Sequence, residues 1–277
     1  MKIPKNTSWE QSGKWYNKIV GTRGHYFHEN LILPNVLRLL NLGKNSTLLD
    51  IGCGQGILAK KIPPTIEYTG IDLAKNLINF AKLSDKNRRH SYLIADATKP
   101  LPLNNRNYSH AAAILALQNI ENAASAIQQV SYCLQNKGKF IIVLNHPCFR
   151  IPRQSGWGGG RLSDRARLRA QRDRGGGENQ IQYRYINRYM SPLKIPINMH
   201  PGERLACRQT GPSEITWSFH QPLSYYIQSL KANGFLVDSI EEWVSNKTSQ
   251  GPAAGMENLA RSEIPLFLAI SSLHISL

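Results

Sequence analysis

A glycine-rich loop and three acidic residues stand out in the first hundred positions. The loop, Gly52-Cys53-Gly54-Gln55-Gly56, follows Asp50 at the end of a short apolar run, and Asp72 and Asp96 each end a later apolar run. Glycine lets a backbone approach a ligand without a Cβ clash. The spacing is neither the G-x-G-x-x-G of a dinucleotide site nor a phosphate-binding P-loop. The pattern therefore favours a ligand without phosphates.

The elements that would position these residues alternate between strands and helices. Predicted strands cover Ser46–Ile51, Ile66–Ile71, Ser91–Ala95, Tyr108–Leu115, Lys139–Leu144, Phe235–Trp243 and Ile264–Ser271. Predicted helices cover Leu31–Leu42, Ile57–Ile62, Ala74–Leu83, Glu121–Gln135 and Leu223–Asn233. Such alternation is typical of an α/β fold with a mainly parallel sheet covered on both faces. Ligands of such sheets bind beyond the carboxyl ends of the strands.

The loop with Asp50, Gly52, Gly54 and Gly56 resembles the [DE]-x-G-x-G-x-G motif of the class I S-adenosylmethionine-dependent methyltransferases. The resemblance covers about residues 31–145 and 221–277. It implies a Rossmann-like, seven-stranded, mostly parallel sheet that ends in an antiparallel hairpin made by the last two predicted strands. It also implies S-adenosyl-L-methionine as cofactor and S-adenosyl-L-homocysteine as product.

The same resemblance implies a role for each matched residue. The glycines would approach the methionine part of the cofactor, and Asp50 would help to hold its ammonium group. Asp72 would accept hydrogen bonds from the ribose hydroxyls, and Asp96 from the adenine amine. The predicted cofactor-binding residues are Asp50, Gly52, Cys53, Gly54, Gly56, Asp72, Leu73, Asp96, Ala97 and Leu115.

The resemblance and the composition together predict four regions. Residues 1–30 would form a lid, 31–145 the cofactor-binding core and 221–277 the completion of the core sheet. Between them, residues 146–220 are too long for an ordinary loop and are interpreted as an inserted cap. Glycines flank an arginine run within it, so 156–178 is predicted to be a flexible loop.

Methyl transfer from a sulfonium is an in-line displacement, so the protein chiefly aligns the acceptor and excludes water. A base would help if the acceptor loses a proton. His146, directly after the fifth strand, and His25 are the candidates, although His146 has the simpler alternative of a backbone or strand-capping role. Tyr26, Asn145 and Arg150 are the candidate acceptor-binding residues. No metal site is predicted.

The net charge of +16 raises the question of the partner. Eight arginines lie between Arg150 and Arg174, against two aspartates. A solvated loop is the favoured interpretation, because no aromatic residue interleaves the arginines from Arg161 to Arg174. A small-molecule acceptor is therefore the leading hypothesis. An RNA methyltransferase and a non-catalytic cofactor-binding protein stay open as alternatives.

The remaining expectations concern location and assembly. The first fifteen residues contain no apolar run, and the longest apolar stretches fall far short of the ~20 residues of a membrane-spanning helix. We therefore expect a cytoplasmic protein without a membrane partner. Nothing in the sequence indicates the oligomeric state.

Overall fold

The fold is described by a computed structural model, which covers residues 9–10, 25–103, 107–161, 180–198 and 215–275. The strands are β1 (Thr47–Ile51), β2 (Glu67–Asp72), β3 (His90–Ile94), β4 (Tyr108–Ile114), β5 (Leu134–Asn145), β6 (Ser155–Arg161), β7 (Gln180–Ile186), β8 (Leu193–Asn198), β9 (Ile215–His220), β10 (Phe235–Trp243) and β11 (Phe267–His274). The helices are α1 (Leu33–Leu40), α2 (Lys75–Ser84), α3 (Ala123–Ser131), α4 (Leu223–Ala232) and α5 (Ala254–Glu263). A π-helical turn, His28–Ile32, leads into α1, and a short 3-10 turn, Leu117–Asn119, follows β4.

Seven strands form one sheet in the order β10-β11-β5-β4-β1-β2-β3. The pairs from β5 through β4, β1 and β2 to β3 are parallel. Strand β11 runs antiparallel to both β5 and β10. The predicted Rossmann-like sheet with its antiparallel end is therefore confirmed. Strand order reverses at β1, between β2 and β4, which is where a ligand-binding crevice is expected.

Both faces of the sheet are covered, which explains why its strands are continuous apolar runs instead of alternating patterns. In β5 every residue from Phe140 to Leu144 is at most 1% exposed. On one face, Val36 and Leu40 of α1 join the core cluster with Leu48. On the other face, α3 and α4 pack beside Leu49. This two-sided core fixes the strand ends that carry the site.

Three local predictions were wrong. The residues 57–62 form consecutive turns instead of a helix; Gly54 and Gly56 enter them with φ of 54° and 74°, and two prolines follow. The predicted helix from Glu121 ran too far, since β5 already begins at Leu134. Helix α5 lies between the last two predicted strands, where no helix was predicted, and its Glu257–Arg261 ion pair is a helical signal that the prediction missed.

The cap contains two antiparallel strand pairs, β6 with β7 and β8 with β9. Part of the predicted flexible loop is thus a strand, as far as Arg161, while residues 162–179 lie outside the described part of the chain. A Cβ on Gly156 would stand 2.3 Å from the Tyr185 hydroxyl, and one on Gly158 would stand 2.4 Å from Cζ of the Tyr183 ring. The tyrosine rings cover these glycines directly, which stabilises a strand that its composition disfavours.

The second cap hairpin reaches the carboxyl end of the sheet. Strand β9 contacts the 3-10 turn after β4, and Lys194 of β8 pairs with Glu121 at 3.2 Å between Nζ and Oε1. The cap therefore stands over the ligand-binding edge. Within the described residues, none of the helices has the length and apolarity to span a bilayer.

Candidate active site

A cavity of about 960 Å³, called the main cavity below, opens at the carboxyl ends of the parallel strands. Its lining combines the loops after β1 to β5 with β8 and β9 of the cap and the two ends of the predicted lid. The lining residues that matter here are Trp9, His25, His28, Gly52, Gly54, Asp72, Leu73, Asp96, Ala97, Leu115, Gln118, Asn119, Glu121, Asn145, Ile197, Thr216, Trp217 and Phe219. This volume is large enough for two small ligands at the same time.

The three loop glycines have different roles, although the motif treats them alike. Gly54 takes a φ of 54°, and a Cβ there would meet nothing within 4 Å, so the backbone faces open cavity space. A Cβ on Gly52 would stand 2.6 Å from Cβ of Ala116, and one on Gly56 would stand 2.7 Å from the Tyr92 hydroxyl. Gly52 and Gly56 thus permit close packing, and Gly54 leaves room for a ligand.

Asp72 ends β2 and lies beside the glycine loop at the cavity wall. Its Oδ2 accepts a hydrogen bond from the Gly54 amide at 2.9 Å, and its Oδ1 accepts one from the Ala74 amide at 2.8 Å. Burial raises the pKa of Asp72, although these amides act in the opposite direction. Each carboxyl oxygen has a second lone pair, so Asp72 can still accept hydroxyl groups of a ligand.

Asp50 and Cys53 do not reach the main cavity, in contrast to the prediction. The carboxyl of Asp50 is 3% exposed and accepts a hydrogen bond from the Tyr68 hydroxyl at 2.7 Å beneath the loop. Burial raises the pKa of Asp50 to about 7. Cys53 packs against Gly70 of β2, and burial raises the pKa of its thiol. Both side chains support the loop from behind.

The residues predicted to bind the adenine line the main cavity. Asp96 and Ala97 line it directly after β3, and the Oδ1 of Asp96 accepts hydrogen bonds from the Thr98 amide and hydroxyl at 2.9 Å and 2.7 Å. Leu73 and Leu115 line it as well. Leu115 has a φ of 52°, a conformation that costs a leucine energy and that places its side chain at the end of β4.

Two histidines of the lid region line the main cavity. His25 was predicted, and His28 stands one turn further along, in the π-helical turn. Burial and the nearby His25 lower the pKa of His28 to about 4, so its ring is neutral at ordinary pH. Within the described part of the chain, the buried Nδ1 of His28 has no hydrogen-bond partner.

His146 lies outside the main cavity, so the structure does not bring this predicted base to the site. Its ring is 1% exposed; Nε2 stands 2.6 Å from Oε1 of Glu242, and Nδ1 accepts from the Cys148 amide at 3.2 Å. An Nδ1 that accepts leaves the proton on Nε2, which donates to Glu242. Burial lowers the pKa of His146 despite Glu242. The ring ties the end of β5 to β10.

Only one of the three predicted acceptor-binding residues lines the main cavity. Asn145 lines the main cavity. Tyr26 lies beyond the lining, with Nζ of Lys247 at 4.4 Å from its ring centroid. Arg150 is half-buried beside the β6–β7 hairpin, and burial with the neighbouring Arg184 lowers its pKa. The geometry of the main cavity therefore does not support binding of the acceptor by Tyr26 or Arg150.

Sequence reasoning missed the wall that the cap contributes. Ile197, Trp217 and Phe219 line the main cavity from β8 and β9. The stretch Ile215-Thr216-Trp217-Ser218-Phe219-His220 alternates apolar and polar residues, which is a strand signal. Its proximity to the cofactor residues could not be read from that pattern.

Comparison with known proteins agrees with this geometry. Residues 49–142 match a methyltransferase domain family. They form a class I methyltransferase domain. The predictions of this domain and of S-adenosylmethionine as its cofactor are confirmed. The residues present fit that cofactor, since a glycine with open space, a strand-end carboxylate and a third-strand aspartate line one cavity.

The curated relatives are similar over part of their length. A ubiquinone biosynthesis O-methyltransferase from Hydrogenovibrio crunogenus is 26% identical over 144 residues, which is 50% of this chain and 56% of the relative. A demethylmenaquinone methyltransferase from Staphylococcus aureus is 24% identical over 110 residues, 38% of this chain and 46% of the relative. The chain thus spans about half the length of these relatives.

Solved structures share the fold over most of the chain. An S-adenosylmethionine-dependent methyltransferase from Mesorhizobium loti has a TM-score of 0.59 at 21% identity, covering 87% of this chain and 96% of that one. The CcbJ methyltransferase from Streptomyces caelestis has a TM-score of 0.61 at 13% identity, covering 99% and 100%. At these identities the likeness concerns the fold.

Proposed function

We propose that the protein transfers a methyl group from S-adenosylmethionine to an oxygen or nitrogen of a small-molecule acceptor. The observation that carries the proposal is the main cavity, which runs from Gly54 and Asp72 at the cofactor end to Trp217 in the cap. A cavity of about 960 Å³ lined by the core, the lid region and the β8–β9 hairpin can hold both reactants. The names of both curated relatives refer to quinones, which supports a small acceptor.

Within this proposal, the strand ends bind the cofactor. Asp72 accepts the ribose hydroxyls, Asp96 accepts the adenine amine, and the backbone at Gly54 faces the methionine part. S-adenosylmethionine supplies a methyl group on a positively charged sulfur, and the acceptor atom bonds to that carbon as the carbon–sulfur bond breaks. The carboxylates and the neutral imidazole of His28 in the lining suit a cationic ligand.

An acceptor hydroxyl must also lose its proton. His25 was the candidate from the sequence, and it lines the main cavity. We favour His28 for this step, because the residue lines the main cavity and its ring is neutral. A neutral imidazole accepts a proton and does not repel the sulfonium before transfer. No catalytic role is proposed for His146.

Calorimetric titration of the pure protein with S-adenosylmethionine tests the cofactor half. We expect one site per chain and a loss of affinity of roughly 100-fold in Asp72→Ala, since two charge-assisted hydrogen bonds disappear. Asp238→Ala, at an exposed position of β10, is the matched control. Absence of binding, or equal binding by both variants, would contradict the proposal.

The two alternatives have their own tests. The arginine run that motivated the RNA hypothesis lies largely outside the described residues, so RNA binding stays a prediction. It predicts an affinity for RNA that falls with salt concentration and that deletion of residues 158–177 should abolish. A non-catalytic binding protein would form no S-adenosylhomocysteine with any cell extract fraction. Enzymatic formation of that product would exclude it.

A further inference from the structure

We propose that the acceptor is an uncharged, planar aromatic molecule that binds against Trp217 and Phe219 of the cap. This inference rests on the proposed function and names the substrate class of the same cavity. It follows from the position, the charge and the chemistry of the lining residues that the cofactor does not need.

The position follows from the order of the strands. The cofactor residues Gly54, Asp72 and Asp96 follow β1, β2 and β3, on one side of the point where strand order reverses. The remaining lining follows β4 and β5 and includes β9. In-line transfer places the acceptor beyond the methyl group, so the β4, β5 and β9 side is its site.

Charge narrows the class of acceptor. Among the described lining residues there is no lysine or arginine, while Asp72, Asp96 and Glu121 are acidic. Lys194, the nearest cation on the hairpin, is paired with Glu121. Arg184 donates to the Phe149 carbonyl at 2.7 Å. A carboxylate or phosphate on the acceptor would meet three like charges in the lining and would have to compete with Glu121 for Lys194.

The hairpin wall suits a flat ring. Trp217 and Phe219 are separated by one residue on β9, so both side chains stand on the same face of the hairpin. Nζ of Lys194 lies 5.2 Å and 5.5 Å from their ring centroids. This cation holds both rings in place from the partner strand. Two fixed aromatic rings on one face of the hairpin favour stacking or edge contacts with another aromatic molecule.

The polar groups on this side are amides instead of ions. Gln118 Oε1 accepts from the Asn145 backbone amide at 3.3 Å, and Asn119 Nδ2 donates to the Leu115 carbonyl at 3.0 Å. Each bond uses one end of the side-chain amide and leaves the other end for a ligand. Such groups recognise a neutral hydroxyl or carbonyl. Together with the rings they describe a phenol-like acceptor.

The test is calorimetry on protein saturated with S-adenosylhomocysteine, which assembles the site without turnover. The probe is 2,3-dihydroxynaphthalene, compared with its 6-sulfonate and with trans-1,2-cyclohexanediol. We expect the neutral naphthalene to bind, the sulfonate to bind at least about tenfold more weakly, and the cyclohexanediol to show no heat. Trp217→Ala should weaken the naphthalene about tenfold, and Trp217→Phe should restore most of it.

Trp157→Phe is the matched control, because Trp157 lies on β6 and outside the described lining. The titration with S-adenosylhomocysteine reports the cofactor site separately, so failure of the proposed function is visible before the probe is added. With that site intact, three results would each overturn the inference: no binding of 2,3-dihydroxynaphthalene, equal or tighter binding of the sulfonate, or unchanged binding in Trp217→Ala.

Discussion

The amide of Gly54 donates a hydrogen bond of 2.9 Å to Oδ2 of Asp72. This bond joins the loop after β1 to the end of β2. Gly54, which has open space beside it, and Asp72, whose carboxylate we propose to bind the ribose, are therefore positioned by each other. Asp72 also accepts from Ala74 at the start of α2. A single carboxylate thus organises the cofactor end of the main cavity.

Replacing each loop glycine by alanine should distinguish the glycine that leaves space for a ligand from the glycines that permit close packing. Gly54→Ala adds a Cβ that meets no protein atom, so we expect a stability loss of about 1 to 2 kcal/mol from its φ of 54°, with a marked loss of S-adenosylmethionine affinity. Gly52→Ala, whose Cβ would stand 2.6 Å from Ala116, should lose more stability. Thermal unfolding and calorimetry measure both effects. Equal affinity in Gly54→Ala and wild type would contradict this assignment.

Asp50 makes stability fall as pH rises. Its folded pKa of about 7 lies above the ordinary value, so the folded state favours the protonated carboxyl. This preference contributes up to about 4 kcal/mol to the free energy of unfolding. The contribution is complete below about pH 4 and is lost as pH rises through 7. Asp50→Asn should remove that component from urea unfolding curves measured between pH 4 and 8. Tyr68→Phe, which removes the donor to the carboxylate, should make the loss larger.

One result would contradict the raised pKa of Asp50. Parallel pH dependence of the free energy of unfolding in wild type and Asp50→Asn would mean that the carboxyl titrates normally. Asp238→Asn, at an exposed position, serves as the control and should leave the curve unchanged.

His28 should remain neutral far below the ordinary histidine range. Its pKa of about 4 lies below the unfolded value, so the stability linked to it is present above pH 6.5 and is lost as pH falls towards 4. In an NMR titration of labelled histidines, the His28 ring, assigned with His28→Asn, should show no protonation between pH 5 and 8. A midpoint near 6.5 would show that the ring is not desolvated.

If His28 accepts the acceptor's proton, His28→Asn should lower methyl transfer by roughly 100-fold or more and leave cofactor affinity nearly unchanged. His25→Asn is the comparison variant, since His25 lines the same cavity at an exposed position. A larger loss in His25→Asn than in His28→Asn would move the role to His25.

His146 is expected to stabilise the fold without affecting the chemistry. His146→Ala removes the bonds to Glu242 and Cys148 and should cost about 1 to 3 kcal/mol in urea unfolding. His146→Gln, which can still donate to Glu242, should recover part of that loss. Cofactor affinity at a temperature where both variants are folded should match wild type. A variant of normal stability with no methyl transfer would restore the catalytic interpretation.

Much of the cofactor end could be predicted because short-range patterns determine it. Apolar runs that end in Asp72 and Asp96 are parallel strands, and parallel strands bring their carboxyl ends to one edge. The position of the Asp50 side chain was not predictable in this way. Asp50 pairs with Gly70 of β2, which has no side chain, so the Tyr68 hydroxyl can reach the Asp50 carboxyl.

Long-range contacts account for the rest. His146 is fixed by Glu242, 96 positions away, and no local pattern reports that bond. Trp217 and Phe219 reach the main cavity because β9 pairs with β8 across residues 199–214 and β8 is tied to Glu121. Sequence pattern indicates strands in such a cap, but partner choice is set by tertiary packing.

The most direct measurement of the central claim follows methyl label from S-adenosylmethionine through a cell extract to its product by mass spectrometry. We expect S-adenosylhomocysteine and label in a small aromatic molecule, with both lost in Asp72→Ala and retained in Asp238→Ala. Label confined to RNA or protein, or no S-adenosylhomocysteine from any fraction, would contradict it.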